Sequence, residues 1–164
     1  MATSSLLYAT LLLVLISLIA TSGAPVDDVC SQTKDPALCL RDFSMSEPGI
    51  RTQTIEDLSG TVVRKAKLEA SQMGHYFHDS TSKPGDLDNQ CENLYNDAVA
   101  ALYAADEAVK GRRYEEVKTR AGYVRSNVDR CEALFGGKSP VHPWSPDIVV
   151  YTEALIVIVN MLDK

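Results

Sequence analysis

No Gly-x-Ser-x-Gly, His-Glu-x-x-His or glycine-rich phosphate loop occurs in the 164 residues. The sequence therefore lacks the usual signatures of serine hydrolases, zinc proteases and nucleotide-binding enzymes. No Asn-x-Ser/Thr sequon occurs, so N-glycosylation is not expected. Positive charge is scarce. Sixteen Lys and Arg stand against 22 Asp and Glu, and the net charge of −6 argues against a nucleic-acid partner. The adjacent acids Asp27-Asp28 and Glu115-Glu116 would point apart on a helix, which does not suit a glycosidase pair. Cysteine is sparse too: there are four, all in the chain after residue 23.

What is present starts with one apolar run, Leu6 to Ala20, followed by small residues Thr21-Ser22-Gly23-Ala24. Its length suits a signal h-region better than a membrane span, although no Lys or Arg precedes it. Residues 1–23 are expected to be a cleaved signal peptide. Residues 24–164 are then expected to be one secreted domain, without a membrane anchor after cleavage. About 140 residues suffice for a single core. An even number of cysteines in a secreted chain implies two disulfides, with three possible connectivities.

Spacing argues for one of the three. Between Leu87 and Phe135 two apolar series step by three and four, the period of an amphipathic helix. One runs Leu87, Cys91, Leu94, Ala98, Ala101, Ala105, Ala108. The other runs Tyr114, Val117, Ala121, Val124, Val128, Cys131, Phe135. Gly111 lies midway between Cys91 and Cys131. Folding back there brings the two cysteines opposite each other at the open end of a hairpin whose arms span about 30 Å. Cys30 and Cys39 are nine residues apart, about 13 Å along one straight helix and too far for a bridge. Asp35-Pro36 breaks that helix, so a short helix, a turn at Lys34–Asp35 and a second short helix from Pro36 allow Cys30 and Cys39 to pair.

The remaining elements follow from the same rules. Ile50 to Asp79 is expected to be a long helix with the stripe Ile55, Leu58, Val62, Ala66, Ala70, Met73 and Phe77, capped by Thr52 or Thr54. Ser80–Gly85 is a polar turn, and Asp86 or Asp88 caps the next helix. After a Gly/Pro-rich loop, Ser145-Pro146 suggests an N-cap and first helical residue. The helix from there to Leu162 is apolar on most sides and should be the most buried. The expected fold is all-α: an antiparallel four-helix bundle preceded by a short disulfide-clamped helical hairpin.

Candidate chemistry is thin. His75, His78 and Asp79 could share a helix face, but exposed histidines near a helix end explain that spacing without a metal. His142, beside Pro143 and Trp144, suits packing better than catalysis. With Cys30, Cys39, Cys91 and Cys131 in disulfides no thiol nucleophile remains. No catalytic residue, cofactor or metal is assigned. The basic cluster at the hairpin tip, Lys110, Arg112 and Arg113 beside Tyr114, combines residue types common at protein-binding hot spots. Those four are the candidate contacts to a partner protein.

Three blocks carry a family resemblance. Cys30-x-x-Thr33-x-x-Pro36-x-x-Cys39, the run Cys91-Glu92-Asn93-Leu94-Tyr95-Asn96-Asp97-Ala98-Val99, and Cys131-Glu132 with Phe135 together resemble the plant invertase/pectin methylesterase inhibitors. The resemblance implies the bundle, the same two disulfides, and a non-catalytic inhibitor forming a one-to-one complex with its enzyme in the apoplast or cell wall, or alternatively in the vacuole. The family has two targets. Members that inhibit acid invertase carry Pro-Lys-Phe at the tip, which reaches the enzyme's acidic active site. Here the tip reads Gly111-Arg112-Arg113-Tyr114, without that motif. Pectin methylesterase inhibitors instead lay bundle helices across the pectin cleft, and that is the first expectation. Acid invertase inhibition is the alternative, and a secreted bundle that inhibits neither enzyme is the third. Tyr123-Val124-Arg125-Ser126 departs from the small residues usual in the family, so altered helix packing or an altered docking face is expected there.

Overall fold

A computed structural model describes residues 24–46, 49–79 and 86–164. The expected signal peptide, Glu47-Pro48 and the polar turn at 80–85 lie outside these residues. Among the described residues there are six α-helices, one short 3-10 turn and no strand.

Helices α1 (Pro25–Cys30) and α2 (Pro36–Ser46) form the short hairpin. Asp35 caps α2: its Oδ1 accepts the Leu38 N–H at 2.9 Å, and Pro36 follows at the first helical position, where its missing N–H costs nothing. Thr33 is buried and donates its hydroxyl to the Cys30 carbonyl at 2.8 Å. Cys30 and Cys39 are bonded across this turn, with Cα atoms 5.4 Å apart.

The first long helix, α3, spans Ile55–Asp79 and so begins five residues later than the sequence pattern suggests. Ile50–Thr52 is a separate 3-10 turn entered through Gly49 at φ 85°. The reason is the cap. Thr54 Oγ1 accepts the Asp57 N–H at 3.1 Å and donates to the Asp57 carboxylate at 2.8 Å, which starts the helix at Ile55. Helices α4 (Asp86–Lys110) and α5 (Tyr114–Leu134) are the two arms about Gly111. Cys91 and Cys131 are bonded with Cα atoms 5.0 Å apart. Both apolar series face inward except at the start of α4, where Leu87 is exposed. At the bridged end Phe77 stacks between Tyr95 and Phe135, with ring centroids 5.9 and 6.1 Å away.

The last helix, α6, spans Ser145–Leu162. Its cap position is Trp144 rather than Ser145. The preceding loop is already wound: the N–H groups of Trp144 and Ser145 both reach the Val141 carbonyl, at 2.9 and 3.1 Å. Ser145 Oγ meanwhile donates back to the His142 carbonyl at 3.2 Å. Helices α3, α4, α5 and α6 follow one another around the bundle, and α6 closes the ring against α3. The short hairpin lies over α6. Covered by α3, α5 and the hairpin, α6 exposes only Pro146 and Asn160, which accounts for its mostly apolar sequence.

Candidate functional site

The α4–α5 tip is built by backbone geometry. The Arg113 N–H reaches back to the Ala108 carbonyl at 2.8 Å and the Arg112 N–H to the Val109 carbonyl at 3.0 Å. This pair of bonds is a Schellman closure, which requires a left-handed residue at the position after the cap. That residue is Arg112, at φ 53°, and not Gly111. The glycine sits one residue too early to take it. Gly111 instead leaves room for the Arg113 guanidinium, which lies against it. A non-glycine side chain in this region is strained by about 1 kcal/mol.

The structure brings Lys110, Arg112, Arg113 and Tyr114 together at the tip but gives them different surroundings. Lys110 Nζ is bound by Glu107 at 2.8 Å and Asp106 at 3.3 Å, and these bonds raise its pKa. Arg113 Nε is held by Glu116 at 2.8 Å. That contact, above all, lowers the pKa of the Glu116 carboxyl. Tyr114 is half-buried against the core. Among the described residues no hydrogen bond or ion pair engages the Arg112 side chain. The cluster that reads as three cations in sequence presents one uncommitted charge.

Two further surfaces flank the bundle. One is the outer side of α4 and α5, where Asn93, Asp97 and Arg130 line a shallow depression of about 220 Å³. The other is a groove of about 350 Å³ between the hairpin turn, α5 and α6, floored by Leu38, Val128, Val149 and Val150. Its edge is fixed by Glu153, which accepts from Arg125 at 2.9 Å and from the Lys34 N–H at 3.1 Å. Sequence reading passed over Glu153. The signal was a single acid inside an apolar helical run, which burial tolerates only when the charge is paired. Tyr123 points outward and is 46 % exposed, while Arg125 ties α5 to α6 through Glu153. Tyr123 and Ser126 therefore lie on the surface, Val124 in the core and Arg125 at the seam between α5 and α6.

His75 and His78 are exposed near the end of α3, as expected, whereas His142 is placed differently from its sequence reading. His142 is largely exposed rather than packed, and its Nδ1 lies 3.0 Å from Glu132 Oε2. Ser139 Oγ donates to the other oxygen of Glu132 at 2.6 Å. Serine and histidine thus both bind the acid instead of forming a serine–histidine–acid relay. His78 pairs with Glu92 at 3.0 Å. Among the described residues no group of three His, Cys, Asp or Glu is arranged to hold a metal, and no cysteine is free. The site is a stiff set of helical surfaces, suited to binding a protein with little loss of conformational entropy.

A family model described as plant invertase/pectin methylesterase inhibitor matches residues 24–154. No curated protein sequence matches the chain. Among solved structures, a mutant form of a pectin methylesterase inhibitor from Arabidopsis superposes with a TM-score of 0.71 at 18% identity, covering 81% of this chain and 93% of that one. A pectin methylesterase inhibitor from Arabidopsis thaliana superposes with a TM-score of 0.62 at 19% identity, covering 85% and 96%. At these identities the likeness shows a shared fold.

Proposed function

Because the chain belongs to the plant invertase/pectin methylesterase inhibitor family, we propose that it is a secreted inhibitor that blocks pectin methylesterase by covering its substrate cleft. In this reading residues 1–23 are removed as a signal peptide. The folded domain acts in the cell wall as a one-to-one plug, with no chemistry of its own. The family's members are inhibitors rather than enzymes, and two structural relatives are described as pectin methylesterase inhibitors. The observation that carries the choice of target is the tip. Two of its three cations are already neutralised by Asp106, Glu107 and Glu116, which leaves little charge to drive into an acidic active site. The broad helical faces then provide the contact area that a stable complex needs.

A second reading, inhibition of acid invertase, is favoured by one feature: Arg112 is held in a strained conformation at the tip of the hairpin, and no partner among the described residues engages its side chain. One panel separates the two. The purified protein is added in equimolar amount to a pectin methylesterase and to an acid invertase, and ester hydrolysis and sucrose cleavage are followed. Loss of esterase activity alone supports the first reading. Loss of invertase activity alone, abolished by replacing Arg112 and Arg113 with Ala, supports the second. Inhibition of neither identifies a non-inhibitory bundle.

A further inference from the structure

The short hairpin meets the bundle at a cluster of acids. Asp42 on α2 is nearly buried, with 8 % of its side chain exposed, and Asp147 in the first turn of α6 is 22 % exposed. One guanidinium nitrogen of Arg41 joins them, 2.8 Å from Asp42 Oδ1 and 3.4 Å from Asp147 Oδ1. The two carboxyl groups therefore converge on a single nitrogen, one of them almost out of contact with water. From α3, Glu69 faces the same point with Lys65 beside it, and Asp35 at the hairpin turn lies near Arg41. Three acids from three elements thus converge on one spot, countered by Arg41 and Lys65. Arg41 is 57 % exposed and so is screened by water.

Two carboxylates that share one partly desolvated site repel each other unless one of them carries a proton. We propose that this contact is an acid-stabilised latch, in which a proton held by Asp147 where it faces Asp42 fastens the short hairpin to the start of α6 and its loss as the pH rises loosens the hairpin.

Electrostatics supports the geometry. Burial, and next the charge of Asp42, push the Asp147 carboxyl up to about 6 from its ordinary 3.8. Burial raises Glu69 in the same direction. The helix N-terminus would favour an anion at Asp147, so the desolvated neighbouring acid outweighs the dipole. The folded protein therefore holds a proton that the unfolded chain would release. This contribution is complete below the ordinary aspartate pKa and is lost as the pH rises through about 6. The apolar contact of Phe43 with Tyr151, ring centroids 5.5 Å apart, does not titrate, so the hairpin loosens rather than detaches. The latch concerns the hairpin alone and holds whichever enzyme is the target.

The test is amide hydrogen exchange of residues 36–46 at about pH 5 and about pH 7.5, corrected for the intrinsic exchange rate. The expected result is an opening equilibrium about tenfold larger at the higher pH, from the proton linkage. Asp147→Asn carries a permanent donor toward Asp42 and should remove that rise. The single tryptophan, Trp144, lies three residues before Asp147. Its fluorescence should titrate near the same pH in the parent and not in the variant. If Asp147→Asn does not fold, Asp42→Asn serves the same comparison. An opening equilibrium that is the same at both pH values in the parent overturns the latch, and so does an Asn variant that keeps the tenfold rise.

Discussion

The protein contains two helical hairpins, each tied by a disulfide, and the ties do different work. In α4–α5 the bridge lies at the open end, about 20 residues from the tip on either arm, and closes a 40-residue separation. The arms are self-contained: Ala98, Ala101, Ala105 and Ala108 face Val117, Ala121, Val124 and Val128, all buried. In α1–α2 the bridge lies beside the turn and closes only nine residues. Beyond the turn this hairpin is held by noncovalent contacts, among them Arg51 on Asp27 at 2.7 Å and the cluster of Arg41, Asp42 and Asp147. The same covalent device makes one hairpin a stiff rod and leaves the other's seating dependent on charge. A bridge at the open end constrains the pair of helices, whereas a bridge at the turn constrains only the turn.

The strongest test of this contrast removes the bridges one at a time. Replacing Cys91 and Cys131 with Ser should cost about 4 kcal/mol, and replacing Cys30 and Cys39 about 2.5 kcal/mol, from loop closure alone. Urea unfolding of the two double variants measures both. The short-bridge variant should in addition show faster exchange confined to residues 25–46, while the long-bridge variant loses protection across α4 and α5 together. Equal losses with the same exchange pattern would end the distinction.

Most of the fold was readable because helical period and cysteine spacing are local signals. The arms about Gly111, the break at Asp35-Pro36 and the apolar last helix each follow from a few neighbouring residues. The misplacements arise where a backbone hydrogen bond decides the register. Thr54 rather than Thr52 starts α3, and the loop before Ser145 is already wound when the helix begins. The candidate site was less readable. Sequence places Lys110, Arg112 and Arg113 in one basic cluster, yet their pairing with acids three and four residues away depends on side-chain choice, and the left-handed turn falls on Arg112. Glu153 and the Asp42–Asp147 contact join residues more than 100 positions apart in the chain, and no window of sequence reveals such a meeting.

A smaller effect sharpens the comparison at the tip of the stiff hairpin. Arg112→Gly removes about 1 kcal/mol of left-handed strain and, after allowing for the greater freedom of glycine in the unfolded chain, should stabilise the protein by at most about 0.5 kcal/mol. A melting temperature higher by about one or two degrees checks this. A lower one would mean that the Arg112 side chain makes a contact worth more than the strain. If the same variant loses invertase inhibition while gaining stability, the strain serves docking.

The smallest effect concerns the loop that leads into α6, and its sign opposes the latch. Burial acts to raise the pKa of Glu132, but the hydrogen bonds of Ser139 and His142 to it help to outweigh burial and hold the carboxyl below its ordinary value. A carboxylate with a depressed folded pKa contributes stability above its unfolded value and loses that contribution as the pH falls through the folded one. Glu132 therefore weakens the loop in acid, whereas Asp147, fifteen positions along, weakens the hairpin toward neutrality. Ser139→Ala should flatten the acid side of a plot of melting temperature against pH and leave the neutral side unchanged. Asp147→Asn should do the reverse. If both variants alter the same limb, the two joints at the start of α6 are one electrostatic unit, and the seating of the short hairpin cannot be tuned separately from the bundle.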